Sequence, residues 1–133
     1  MVPKTVKEQS PGVFIFDLGQ NISGVVRLKV KGKAGDKVKI RYAEMLHKDG
    51  RLSTENLRCA RATDTYILKG DPNGETWTPE FTYHGFQYIE VKGYPGTPDL
   101  NSITGLVQHT VLPTISTFSC SDPMLRSEER RVG

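Results

Sequence analysis

A chain of 133 residues is the size of one domain, long enough to bury roughly two-thirds of its unfolded surface around a single core without disulfide or metal staples. Hydrophobic residues make up 36 % and charged residues 25 %, as in ordinary soluble globular proteins. The formal net charge of +3 is too small, and Lys and Arg too scattered along the chain, to point to nucleic acid; no apolar run approaches the length of a membrane span.

In chain order, residues 1–11 read as an N-terminal lead-in without the apolar centre of a signal peptide. Either the protein stays in the cytoplasm or its true start lies upstream, and the compartment is left open. Val13-Phe14-Ile15-Phe16 is a short apolar run ended by the turn-prone Asp17-Leu18-Gly19-Gln20-Asn21. Val26, Leu28 and Val30 alternate with Arg27, Lys29 and Lys31, and Val38, Ile40 and Tyr42 alternate with Lys37, Lys39 and Arg41. A period of two is that of half-buried strands. With the turn Lys33-Ala34-Gly35-Asp36 between them, these two segments are predicted to pair as a hairpin. Residues 43–62 are polar and follow neither period, so a long connection with little regular structure is expected there; connections of that length are often functional.

Strand character returns over 64–68, then at Thr76-Trp77-Thr78 and Phe81-Thr82-Tyr83. Over 86–92 large apolar groups fall on both faces, the mark of a central strand. Strands over 103–107 and 115–118 complete a set of about eight at the spacing of an antiparallel sandwich. No segment shows a sustained helical face. The predicted fold is all-β, a single-domain antiparallel β-sandwich of jelly-roll type. Cys59 and Cys120 match no CxxC or zinc spacing and read as two isolated buried thiols.

Glycoside hydrolysis needs paired carboxylates, and nucleophilic hydrolysis needs a nucleophile with a base and an orienting group. Glu44 and Glu55 bracket the long loop and are the one pair with a chance to converge; solvated carboxylates are the plainer reading. His47, His84 and His109 have no second ligand nearby in sequence, and HxH, HExxH and phosphate-loop patterns are missing, so no metal and no cofactor is expected. Calcium sites leave no sharp sequence signature outside the EF-hand, and the sequence is silent on them. Two stretches suit sugar binding, which uses planar polar groups beside an aromatic face. One is Thr54-Glu55-Asn56-Leu57-Arg58, with Glu55, Asn56 and Arg58 as candidate binding residues. The other is Phe81-Thr82-Tyr83-His84-Gly85-Phe86-Gln87-Tyr88. There Phe81, Phe86 and Tyr88 read as core around a bend at Gly85, while Tyr83 and His84 stand as candidates either for packing or for a wet sugar site.

These stretches resemble a known family. Asp17-Leu18-Gly19-Gln20-Asn21-Ile22-Ser23-Gly24 is similar to the D-[FL]-G-Q-N-x-[SA]-G opening of the concanavalin-like domain of bacterial α-L-rhamnosidases. In the same order, Tyr42-Ala43-Glu44, the 54–58 loop, Ala62 to Gly70, the Phe81-to-Tyr88 segment and Phe118-Ser119-Cys120-Ser121-Asp122-Pro123 resemble later passages of that domain. Several ordered motifs are more specific than one short pattern. The resemblance spans residues 12–125 and implies a concanavalin-like sandwich over 12–119, with 120–133 opening a linker to an (α/α)6 barrel. In the family the barrel holds the acid and base that release terminal α-L-rhamnose with inversion, so no catalytic residue carries over to this chain. After Leu125 the sequence is almost wholly charged or small where the first barrel helix is expected. The expectation is a truncated reading frame with a foreign or frame-shifted tail from residue 126. Three functions follow: an accessory support for the barrel, an independent module binding rhamnosylated glycans, or a protein-interaction sandwich.

Overall fold

The computed structural model describes residues 1–113, 115 and 119–122. Nine strands are present among the described residues: β1 (Thr5–Ser10), β2 (Val13–Val30), β3 (Lys37–Ala43), β4 (Met45–Leu46), β5 (Leu52–Ser53), β6 (Thr63–Ile67), β7 (Glu75–Trp77), β8 (His84–Lys92) and β9 (Ile103–Val107). Among the described residues the only helical element is one 3-10 turn, Glu55–Leu57. Every pairing is antiparallel. The main sheet runs β1-β2-β8-β3-β6, and β7 and β9 also pair with β2.

The 18-residue strand β2 organises the sandwich. Its first part lies between β1 and β8, whereas Leu28, near its end, stands opposite both Trp77 of β7 and Ile103 of β9. One strand thus serves two walls. The turn-prone Asp17-to-Asn21 stretch does not end the strand, as expected from sequence; it forms a bulge. Pairing with β8 jumps from Asp17↔Tyr88 to Ile22↔Phe86. Gly19 takes a left-handed φ of 71°, and its amide donates to Asp17 Oδ1 at 2.6 Å. Gln87 Nε2 donates to the same oxygen at 2.9 Å, tying the bulge to β8. Such a bulge bends a strand and strengthens its twist.

The core collects inward residues from both walls: Phe14, Phe16, Leu18, Ile22, Val26, Leu28 and Val30 of β2, Val38, Ile40 and Tyr42 of β3, Phe86, Ile89 and Val91 of β8, and Ile103 of β9. On β8 the inward parity changes between Phe86 and Ile89, opposite the bulge, so that the strand keeps facing one core as it bends. The predicted antiparallel sandwich and the central place of this strand are therefore both found. Glu75 opens β7 and is buried; it accepts from the Tyr66 hydroxyl and from the amides of Lys69, Gly70 and Asp71, closing the turn between β6 and β7.

Several expectations need correction. Residues 26–31 and 37–42 do not form a hairpin: β3 pairs with β8 and β6, while the end of β2 pairs with β7 and β9. The turn between them exists, with the Asp36 amide donating to the Lys33 carbonyl at 3.1 Å, but it carries the chain from one wall to the other. Alternation decides which face is buried and leaves the neighbouring strand open. The lead-in contributes β1, paired from Thr5↔Asp17 to Ser10↔Val13. Residues 81–83 are not a strand, and Phe81, read as core, is fully exposed at a left-handed φ of 58°. Phe86 is fully buried as expected and Tyr88 half-buried. Both cysteines are free, but Cys59 is exposed and Cys120 only half-buried, because Cys59 falls in the loop after the helical turn. The strand expected over 115–118, apart from residue 115, and the tail from 126 lie outside the described residues.

Candidate functional site

The polar connection after β3 is anchored to the outer face of the sheet. β4 and β5 pair around a turn in which the Gly50 amide donates to the His47 carbonyl at 2.9 Å. Leu52 is buried there against Ile15 and Ala43, with Leu46 and Tyr88 half-buried around them. This second apolar cluster lies on the side of the sheet opposite the main core: Ile15 and Ala43 neighbour, along their strands, the core residues Phe14, Phe16 and Tyr42. The connection is therefore a fastened arm that holds the candidate residues in place.

The arm distributes its carboxylates. Glu44 accepts from Asn21 Nδ2 at 3.0 Å and from Asn56 Nδ2 at 3.5 Å. Glu44 Oε1 also covers Gly85, 3.5 Å from where a Cβ would stand. Asn21 comes from the β2 bulge, Asn56 from the helical turn and Gly85 from β8, so three distant segments meet at one carboxylate. Glu55 turns elsewhere. Its Oε1 lies 3.1 Å from His47 Nε2, and its Oε2 accepts from the Ser53 hydroxyl at 3.1 Å and the Thr54 amide at 3.0 Å. Its own backbone amide first, and then the Ser53 hydroxyl, hold the Glu55 carboxyl below its ordinary pKa.

His84 packs under the sheet surface. Its ring stacks on Tyr42 with centroids 4.2 Å apart, and its Nε2 lies 3.2 Å from Asp64 Oδ2 and 3.4 Å from the Thr82 hydroxyl. The Tyr42 hydroxyl donates to the same Asp64 oxygen at 2.7 Å. Burial, and then that bond, push the Tyr42 phenol well above its ordinary pKa. Tyr83, the residue before His84, is exposed, as is Phe81. Arg58, also exposed, sits in a left-handed conformation after the helical turn and lines a separate groove with Arg61, Lys39 and Arg41. The five sequence candidates therefore fall in five separate environments, with Glu55 against His47, Asn56 against Glu44, Tyr83 at the surface, His84 in the packed cluster and Arg58 in the groove.

Among the described residues no three His, Cys, Asp or Glu side chains are grouped to hold a metal. Glu44 and Glu55 have separate partners and share none. The arrangement offers hydrogen-bonding amides and carboxylates at the surface, the equipment of recognition. Sequence reasoning did not find Asn21 as a partner of Glu44, because the motif around Asn21 reads as a turn and gives no sign of what faces it.

The family described as the bacterial alpha-L-rhamnosidase concanavalin-like domain matches residues 7–109. The alpha-L-rhamnosidase of Streptomyces avermitilis is 53 % identical over 122 residues, covering 92 % of this chain but 12 % of that protein. An alpha-L-rhamnosidase of Formosa agariphila is 42 % identical over 120 residues, covering 89 % of this chain and 13 % of its own length. In three dimensions, the crystal structure of the Streptomyces avermitilis enzyme complexed with L-rhamnose superposes with a TM-score of 0.87 at 52 % identity over 94 % of this chain and 12 % of that one. The alpha-L-rhamnosidase structure from Dictyoglumus thermophilum gives a TM-score of 0.88 at 39 % identity, covering 95 % of this chain and 14 % of its own. The chain thus spans a small fraction of the relatives it matches, and within them it corresponds to one β-sandwich among other parts. By sequence and by fold it belongs to the concanavalin-like domain family of bacterial alpha-L-rhamnosidases.

Proposed function

We propose that this chain is the accessory sandwich of a larger α-L-rhamnosidase, supporting a linked catalytic part and performing no hydrolysis itself. The observation that carries the reading is the match to 12–14 % of the length of whole rhamnosidases, along nearly all of this chain. The linked part proposed is an (α/α)6 barrel that releases terminal α-L-rhamnose with inversion. Inversion needs an acid and a base roughly 6.5–9.5 Å apart around a water. Glu44 and Glu55 supply neither role here, since each is engaged by amides, a hydroxyl or an imidazole of the sandwich. The purified chain is expected to leave an aryl α-L-rhamnoside intact at substrate concentrations where a whole relative hydrolyses it. Turnover by the chain that disappears in Glu44→Gln or Glu55→Gln would overturn the proposal.

A second reading, glycan binding, rests on the meeting of Glu44, Asn21 and Asn56 above Gly85, two residues along the chain from the exposed Tyr83. Planar amides and a carboxylate beside an aromatic ring match the hydroxyls and the apolar face of a sugar. In this reading Asn56 and Tyr83 contact the sugar, Glu55 orders the arm, and His84 positions β8 from beneath. Calorimetric titration with L-rhamnose at millimolar concentration tests it. Binding that weakens in Asn56→Ala and Tyr83→Ala is expected, and no heat at that concentration sinks it.

A further inference from the structure

The outer face of the β3–β6 edge and the loop that crosses it gather positive charge that the linear sequence conceals. Lys39 and Arg41 stand opposite Thr65 and Thr63 in the β3–β6 register. The loop after the helical turn brings Arg58 and Arg61 to the same place, enclosing an open groove of about 620 Å³. The groove contains no Asp or Glu. Arg41 is neutralised by Glu90 at 3.1 Å, whereas Lys39, Arg58 and Arg61 have no carboxylate within ion-pair distance among the described residues. The groove therefore carries a local cluster of three unpaired cations with no acid in its lining.

We propose that this groove binds the acidic groups, carboxylate or sulfate, of an anionic oligosaccharide. Like charges held together are an unfavourable arrangement that an anion relieves, and guanidinium forks suit the planar edge of a carboxylate or sulfate. The groove's volume lies in the roughly 300–1,000 Å³ range of small-molecule sites, larger than a single ion needs. Thr54 and Thr65 add hydroxyls that have no partner within the described chain, suited to sugar hydroxyls. The lining has no aromatic ring on which a base would stack, which counts against single-stranded nucleic acid. The loop is also held in an uncommon shape. Arg58 at φ 51° and Ala62 at φ 39° are both left-handed without being glycine, and such conformations gather at ligand clamps. The choice of a saccharide rests on the proposed rhamnosidase context; it assigns a second, charged contact to the same glycan.

The test is calorimetric titration of the full chain with a galacturonate trimer, the neutral methyl ester of that trimer, and inorganic sulfate. Saturable binding of the acidic trimer is expected, weakening about tenfold between about 0.02 M and about 0.2 M salt as surface charge is screened. The double variant R58Q/R61Q weakens it about tenfold or more at low salt, and Lys48→Gln, an exposed cation outside the groove, leaves it unchanged. Should the double variant fail to fold, Lys39→Gln on β3 is expected to weaken binding in the same direction. Equal binding of the neutral ester, no binding of the acidic trimer at millimolar concentration, sulfate binding as tightly as the trimer, or a short DNA duplex binding more tightly would each overturn the proposal. The rhamnosidase reading is decided separately by hydrolysis and stands whichever way the trimer behaves.

Discussion

Glu75 accepts from the Tyr66 hydroxyl and from three successive backbone amides, and its carboxyl is held down to about 2 from an ordinary 4.5, first by the Tyr66 hydroxyl and then by the Lys69 amide. The same bond keeps the Tyr66 phenol protonated up to about 12. A carboxylate with a depressed folded pKa stabilises the fold fully above its unfolded value and loses that contribution as pH falls toward the folded one. The thermal midpoint is therefore expected to fall as pH drops from about 4.5 toward about 2. Glu75→Gln is expected to melt lower at neutral pH and to show a flatter decline through that acid window; a decline as steep as the parent's would count against this role. None of this was legible in the sequence. Glu75 sits in Gly74-Glu75-Thr76, where an acid beside a turn reads as solvated, and only the folded turn aims three N–H groups at it. His84 and Asp64 were equally hidden, twenty residues apart until β6 and β8 come to flank β3.

At the scale of elements, β9 illustrates how closely backbones approach in this sandwich. Gly24 pairs with Val107 across the β2–β9 ladder, and a Cβ there would stand 2.0 Å from the carbonyl oxygen of the preceding residue, Leu106. No flexible side chain is available to give way. Gly24→Ala is expected to cost about 1–3 kcal/mol, the usual penalty for overpacking. The loss is expected to centre on β9, with faster amide exchange at Leu106 and Val107 and little change at Ile40 or Val91; uniform acceleration would argue for a global effect. Element identity was largely legible. The alternating residues of β3, the two-faced apolar pattern of β8 and the short β9 follow from burial alone. Partner choice was not, because β3 could have buried the same face beside β2 and instead does so beside β8, a strand contributed from fifty residues further on.

For the whole molecule, one core joins both walls, so no part has an apolar interior of its own large enough to persist when the rest opens. Unfolding in urea is expected to be a single transition. Trp77, the only tryptophan, stacks on Tyr66 at 5.0 Å and reports on β7, whereas far-UV circular dichroism reports on all strands. Coincident curves are expected, and an earlier fluorescence change would show that β7 leaves first. The ordered motifs made the family legible, and with it the sandwich. The basic groove was not, since Lys39 and Arg41 are separated by a hairpin arm and a helical turn from Arg58 and Arg61, and no sequence spacing marks side chains that meet only through the β3–β6 register.

The double duty of β2 also dictates an order of events during synthesis. Val13 finds its β8 partner only at Lys92, and Gly24 finds its β9 partner only at Val107. As the chain leaves the ribosome, the longest strand, β2, emerges after β1 but before its partners β7, β8 and β9. It must then wait, with hydrogen-bonding edges open, until Val107 has been made. Contacts so distant in sequence close slowly, and an exposed edge invites pairing with other chains in the interval. A nascent-chain chaperone would find its natural client here, in Val13 to Val30, before β9 arrives.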